Sequence, residues 1–498
     1  MNSIFGSIIW LLVCISSVQA IPEKPIVVVI PSWNNIKVCA DNLKSVFSQK
    51  YDNYHIIYID DYSTDGTGDA VQKLIQEHKQ QKRCTLIRNK KRRGILYNHY
   101  MTVHSCPNNV IIVNLDGDDQ FAHDKVLQRI NEAYQDDNVW MTYGQYLEWP
   151  NKQWPKGKLG ICRKIPNVIH AQQAYRYYDW VTSHPRTFYA GLFKAIPLGY
   201  FLHNGQFQPS AVDFAMMYSM LELSKGRVHF IDEILYYYNC ENPNNLFRTM
   251  ILTDMAMGYI SRGREPLEPL TYDPRRPEVG NTNNASLAIV CLCDTDKEKT
   301  QKLCTSLLHS SLTKHDIYLL YKTYINAFEQ LNNQLQANNR LCETIDITKQ
   351  PITESLLQIC ATQHYTHILL LTDDYIIVDG KNINIPDMIR LIEKTHAIGF
   401  YIALAKEYTS TKYPTIEQPL LVECEPNVYA WKFNKTSGPW RFAYTTDCAL
   451  YPITDLCKHI QGIPCTTKQE LRELLHSYAA TRTEDVGICY THALCRYA

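Results

Sequence analysis

Residues 110–119 read VIIVNLDGDD: an apolar, largely β-branched run broken only by Asn114, then stopped by Asp116, Gly117, Asp118 and Asp119. A short run of this kind is what a strand buried on both faces requires. Carboxylates crowded this closely repel each other unless a cation sits among them. Hard oxygen ligands suit Mg2+ or Mn2+, which commonly hold substrate phosphates as well. Gly117 lets the backbone turn and approach a ligand closely. The same letters also describe a solvated acidic turn, so the surrounding sequence has to decide.

Upstream the pattern alternates strand and helix. Ile26 to Ile30 and Tyr54 to Ile59 are short strand-like runs, and Thr85 to Ile87 a third. Between them, 36–48, 65–78 and 96–104 carry helical periodicity. A βαβα series predicts a doubly wound sheet with helices on both faces. Ligands of such sheets bind beyond the carboxyl ends of the strands. Those ends carry Pro31-Ser32-Trp33, Asp60-Asp61 and Asp116 to Asp119.

Taken together, Val29-Ile30-Pro31, the segment IDDYSTDGT at 59–67 and LDGDD at 115–119 resemble the family 2 glycosyltransferases of the GT-A fold. Tyr62 replaces the glycine usual in the second segment, which makes that turn less permissive. The resemblance covers residues 25 to about 245 and implies an α/β GT-A fold with a Rossmann-like mixed sheet. It also implies a nucleotide-sugar donor, a UDP-sugar, and Mn2+ or Mg2+ as cofactor. Pro31 and Trp33 would belong to the nucleotide-sugar site, and Asp60 and Asp61 would lie by the base and ribose. Asp116 would reach the ribose or metal-bound water, and Asp118 would ligate the metal. Arg93, in the basic stretch Lys91-Arg92-Arg93-Gly94, is either a phosphate partner or part of a solvated turn.

The family also uses a carboxylate base before a helix. Here only Asp213 is present, with Val212 in place of the acidic partner. Asp213 is either the base or the cap of the following helix. Trp180, His184 and Arg186 lie between these motifs, as donor or acceptor contacts or as ordinary packing. The implied reaction is an inverting transfer to a hydroxyl of a glycan, lipid or protein. The competing class is a catalytically inactive glycan-binding protein. A sugar-nucleotide pyrophosphorylase would need a glycine-rich basic first loop, which Pro31 to Asn35 does not supply.

Domain expectations follow: a leader at 1–20, the transferase domain at 25–250, a linker at 251–286 and a second GT-A-like domain at 287–498. The linker is read from four prolines in 261–286. In the second half, strand-like runs at 287–292, 317–320 and 367–372 lead to Asp373-Asp374, an echo of the first-half motif without its D-x-D spacing. A non-catalytic copy that packs on the first domain or binds acceptor glycan is favoured over a second active transferase.

Composition bounds the rest. The 498 residues balance 50 Lys+Arg against 50 Asp+Glu, which excludes a general nucleic-acid binder. A 45% apolar share excludes disorder as the main state. Mean hydropathy of -0.29 and the lack of a second long apolar run exclude a polytopic membrane protein. Residues 1–20 carry no charge, hold an apolar core and end Val18-Gln19-Ala20. They predict a secretory signal and a lumenal or exported protein, or else an uncleaved anchor with a cytoplasmic enzyme. Export would permit some disulfides among the cysteines, and Asn284 and Asn434 head glycosylation sequons.

Overall fold

The computed structural model describes residues 21–155, 162–243, 249–276, 286–338, 340–362, 365–407, 418–433, 436–478 and 484–497. The leader at 1–20 and both sequon asparagines lie outside the described residues.

The first half holds strands β1 (Ile26–Ser32), β2 (Tyr54–Asp60), β3 (Cys84–Arg88), β4 (Ile111–Asn114), β5 (Gln120–Phe121), β6 (Met141–Trp149) and β7 (Arg186–Tyr189). A hairpin of β8 (Leu202–His203) and β9 (Gln206–Phe207) precedes the long β10 (Val228–Asn239). The main sheet runs β3-β2-β1-β4-β7-β6-β10-β5. Its first four strands are parallel, as the alternating pattern predicts. β7 then runs antiparallel to both β4 and β6, which makes the sheet mixed. Helices α1 (Cys39–Phe47), α2 (Thr67–Glu77) and α3 (Ile95–His104) fill the expected crossovers. They are followed by α4 (Val126–Ala133), α5 (Asn167–Gln172), α6 (Ala190–Lys194) and α7 (Val212–Ser224).

The expected linker does not begin at residue 251. Ile251–Arg262 is a helix, α8, whose Asp254 accepts from the Ala211 N–H at 2.7 Å ahead of α7. The stretch after it is also tied down: Arg264 is buried and donates to the Gly199 and Leu202 carbonyls.

The second half repeats the first. Its strands are β11 (Leu287–Cys293), β12 (Asp316–Tyr321), β13 (Cys342–Asp346), β14 (His367–Thr372), β15 (Tyr375–Ile377), β16 (Gly399–Ala405), β17 (Val422–Glu425), β18 (Val428–Lys432), β19 (Ala449–Pro452), β20 (Val486–Tyr490) and β21 (Cys495–Tyr497). The sheet order β13-β12-β11-β14-β19-β16-β20-β18-β17 reproduces the first seven positions of the other sheet. Directions agree as well: β19 is antiparallel to β14 and β16, and β20 is parallel to β16.

One buried apolar cluster takes in residues of both halves, from Ile26 to Cys495, so the halves share a core. Among the described residues no helix is long and apolar enough to cross a membrane. The described cysteines stand as free thiols, most of them buried.

Candidate active site

The turn after β4 is held from several sides. The Gly117 N–H donates to the Pro31 carbonyl at 3.1 Å. A Cβ at Gly117 would stand 2.6 Å from the Ser32 Cβ, so only glycine allows this approach. From α1, Asn42 Nδ2 donates to the Asp116 and Asp119 carbonyls at 2.9 and 2.7 Å. From β10, the Tyr236 hydroxyl accepts from the Asp116 N–H at 3.1 Å.

Three carboxylates leave this turn in different states. Asp119 is buried; it accepts from Tyr236 Oη and the Asn239 N–H, both at 2.7 Å. Burial, with Asp118 and Asp116 nearby, raises its proton affinity well above the usual range. Asp118 accepts from Asn242 Nδ2 at 2.7 Å, and burial plus Asp116 push its pKa up to about 6. Asp116 is half-buried and lies 3.7 Å from Arg186.

β7 and the residues just before it bring Arg186 and His184, and α7 brings Asp213. His184 stacks on Tyr236 with ring centroids 4.5 Å apart. Its Nδ1 is buried without a hydrogen-bond partner, and burial and Arg186 keep the ring neutral. Ligand atoms of Asp116, Asp119 and His184 all lie within 4.8 Å of one another. Arg186 is buried between Asp116 and Asp213, whose Oδ2 is 3.2 Å from its Nη1. Asp213 does not cap α7: the N-cap is Ala211, in a left-handed conformation, with no side-chain cap bond. Burial raises the Asp213 pKa despite Arg186, and Asp254 adds to the rise.

At the second strand end the two aspartates take separate roles within the protein. Asp60 is buried and accepts from the Ser63 N–H at 3.1 Å, which shapes the turn. Tyr62 adopts φ 65°, the left-handed region natural to the glycine it replaces, and is 52% exposed. Asp61 accepts from Asn89 Nδ2 at 2.7 Å and from the Arg93 and Gly94 N–H groups at 2.9 Å each. The Arg93 guanidinium turns away to Glu423 of the second half, 3.0 Å distant. Its neighbour Arg92 lies over the Trp33 ring at 3.6 Å. Of the two readings of Arg93, phosphate partner or solvated turn, the side chain here pairs with a carboxylate of the second half. Trp180 stacks on Phe214 at 4.2 Å with Tyr218 at its edge, a packing role that leaves no open ring face for a sugar on that side.

Sequence reading passed over Asp119 as a site residue, although it adjoins the motif. It also missed Tyr236, Asn239 and Asn242, which reach the turn from more than 100 residues away. No local pattern marks them.

The repeated topology allows a comparison by strand register. Ile26 pairs with Ile111 as Leu287 pairs with His367, which sets Thr372 opposite Asp116, Asp373 opposite Gly117 and Asp374 opposite Asp118. The pairs Asn114–Arg186 and Leu370–Ala449 set Ala449 opposite Arg186. Asp374 is ringed by Lys299 at 3.2 Å, Lys468 at 3.2 Å and Arg472 at 3.1 Å. Burial pushes its pKa up, but these three cations hold it well below the carboxylate range. Lys468 also meets Asp373 at 2.6 Å, and Arg472 meets Asp447 at 2.8 Å. Where the first half gathers acids, the second has neutralised them with its own side chains.

Residues 27–196 match the family described as glycosyl transferase family 2. No curated protein matches the chain. Among solved structures, S. aureus TarS is 15% identical with a TM-score of 0.34, over 46% of this chain and 39% of its own. The mannosyltransferase PcManGT from Pyrobaculum calidifontis, in complex with GDP-Man and Mn2+, is 17% identical, with TM-score 0.34, over 49% and 66%. Glucosyl-3-phosphoglycerate synthase from Mycobacterium tuberculosis, with Mn2+, UDP and phosphoglyceric acid, is 13% identical, with TM-score 0.34, over 48% and 79%.

Proposed function

With a family 2 glycosyl transferase segment at residues 27–196 as premise, we propose that the chain moves a sugar from a nucleotide-sugar donor, a UDP-sugar, to an acceptor hydroxyl. The active site is the cleft of the first half. The observation that carries this reading is Arg186 lying between Asp116 of the strand-end cluster and Asp213 of α7. The arrangement sets a carboxylate of raised proton affinity across from the acids expected to face the donor.

Asp213 is the general base. It takes the acceptor hydroxyl's proton as the oxygen bonds to the anomeric carbon and the bond to the diphosphate breaks. A single displacement of this kind inverts the anomeric configuration. Asp60 and Asp61 shape the nucleotide end of the cleft through the 61–67 turn and the 89–94 loop.

The cluster also fits a divalent ion. Burial, and then the neighbouring carboxylates, raise the proton affinities of Asp118 and Asp119, and a bound cation would offset that crowding of negative charge. His184 offers a neutral ring with an unpartnered nitrogen. Asp116, Asp119 and His184, whose ligand atoms all lie within 4.8 Å of one another, would hold Mn2+ or Mg2+, with Asp118 as a further carboxylate of the same turn and Tyr236 and Asn239 orienting Asp119. When bound, such an ion supplies positive charge to the departing diphosphate.

One observation favours a second reading, a glycan-binding protein without turnover: the Arg186 pair occupies the base that catalysis needs. Donor turnover by the full chain with Mn2+, assayed over a panel of UDP-sugars, separates the two. Turnover lost in Asp213→Asn with UDP binding retained supports the transferase. Equal turnover in both proteins removes Asp213 as the base. UDP-sugar binding with no turnover in either supports the second reading.

A further inference from the structure

We propose that Glu423, in the second half, is a positioning residue for the donor-side loop of the first half. The inference rests on the transferase reading of that cleft. Loop 89–94 is pinned at its inner end, where Asn89 and the Arg93 and Gly94 N–H groups converge on the carboxylate of Asp61. Its outer end is held through the Arg93 side chain, which meets Glu423 at 3.0 Å and lies 4.9 Å from the Tyr97 ring centroid. Arg93 and Glu423 are each 26% exposed, so water screens this pair less than an ordinary surface ion pair.

Glu423 is itself on a braced strand. In β17, Cys424 is fully buried, and Glu425 is fastened by Arg390 at 2.9 Å and by Lys394. Both cations stand on the helix Ile385–Thr395. The second sheet thus presents a fixed carboxylate to a loop that leads directly into α3. That half has filled its own strand-end site with Lys468 and Arg472, and this contact gives it a part in the working site. Arg93 accordingly anchors the loop.

The test uses the full chain, with Glu423→Ala and the charge-swapped pair Arg93→Glu/Glu423→Arg. Hydrogen exchange is read over residues 89–98, and the Kd for UDP is measured with Mn2+ present. In Glu423→Ala, exchange at the Arg93 and Gly94 amides should rise, with the rest of the chain unchanged. The Kd for UDP should rise about fivefold, as expected for loss of a partly buried ion pair. The swapped pair should restore both. Unchanged exchange at 89–98 would overturn the proposal, as would a loosened loop with an unaltered Kd. A chain-wide rise in exchange would make Glu423 a general stability element, again overturning it. If the wild type binds no UDP, the transferase reading falls, and the exchange result still decides whether Glu423 holds the loop.

Discussion

The Nη1 atom of Arg186 lies 3.2 Å from the Oδ2 atom of Asp213, and the pair is enclosed between β7 and the first turn of α7. The guanidinium favours the charged carboxylate, while burial and Asp254 oppose it. Removing the cation therefore raises the Asp213 pKa further. We expect Arg186→Met to shift the acid limb of the pH–rate profile upward by about one unit. Initial rates between pH 5 and 9 check this; an unmoved limb would detach Asp213 from the titration.

Asp118 makes a prediction about stability. Its folded pKa, about 6, lies above the model-peptide value near 3.9. The folded state binds the proton more tightly, so stability is full below about pH 4 and declines as pH rises through about 6. Without divalent ions, Asp118→Asn should gain up to about 3 kcal/mol over the wild type at pH 7.5 and nothing at pH 3.5. Urea unfolding at both values measures it. Added Mn2+ should raise the Tm of the wild type more than that of the variant.

The second-half network responds in the opposite sense. Lys468 compensates Asp373 and Asp374, and Asp373 is almost wholly buried. Lys468→Met leaves buried charge uncompensated and should cost about 3–5 kcal/mol. Donor affinity should stay as in the wild type, since the cleft of the first half is intact. Chemical unfolding and UDP titration of the same variant test both statements.

Tyr62 offers a stabilising change. Its left-handed backbone costs about 1–2 kcal/mol in a residue with a Cβ, and its ring is half exposed. Glycine relieves that strain but adds freedom to the unfolded chain worth up to about 1 kcal/mol. Tyr62→Gly should therefore gain about 0.5 kcal/mol net, read as a small rise in Tm. A fall would mean that the ring makes contacts worth more than the strain.

By itself, the sequence determined the parallel core of the first sheet and the acidic turns at its strand ends. Those features are local. β-Branched runs such as Ile26 to Ile30 make buried strands, and a glycine among carboxylates makes a tight acidic turn. The echo at Thr372 to Asp374 was legible for the same reason. What the tertiary structure alone decided was the partnership of each charge. Arg93 and Glu423 are 330 residues apart, and Lys468 reaches Asp373 across 95. The turn of β7 against its neighbours brings Arg186 and His184 to the acids, and β10 carries Tyr236 and Asn239 back to Asp119. Periodicity and propensity act over a few residues, whereas an ion pair depends on where two distant strands end. The two Asp-rich turns therefore read alike in sequence, and only the folded chain distinguishes the one left to gather a ligand from the one closed by its own lysine and arginine.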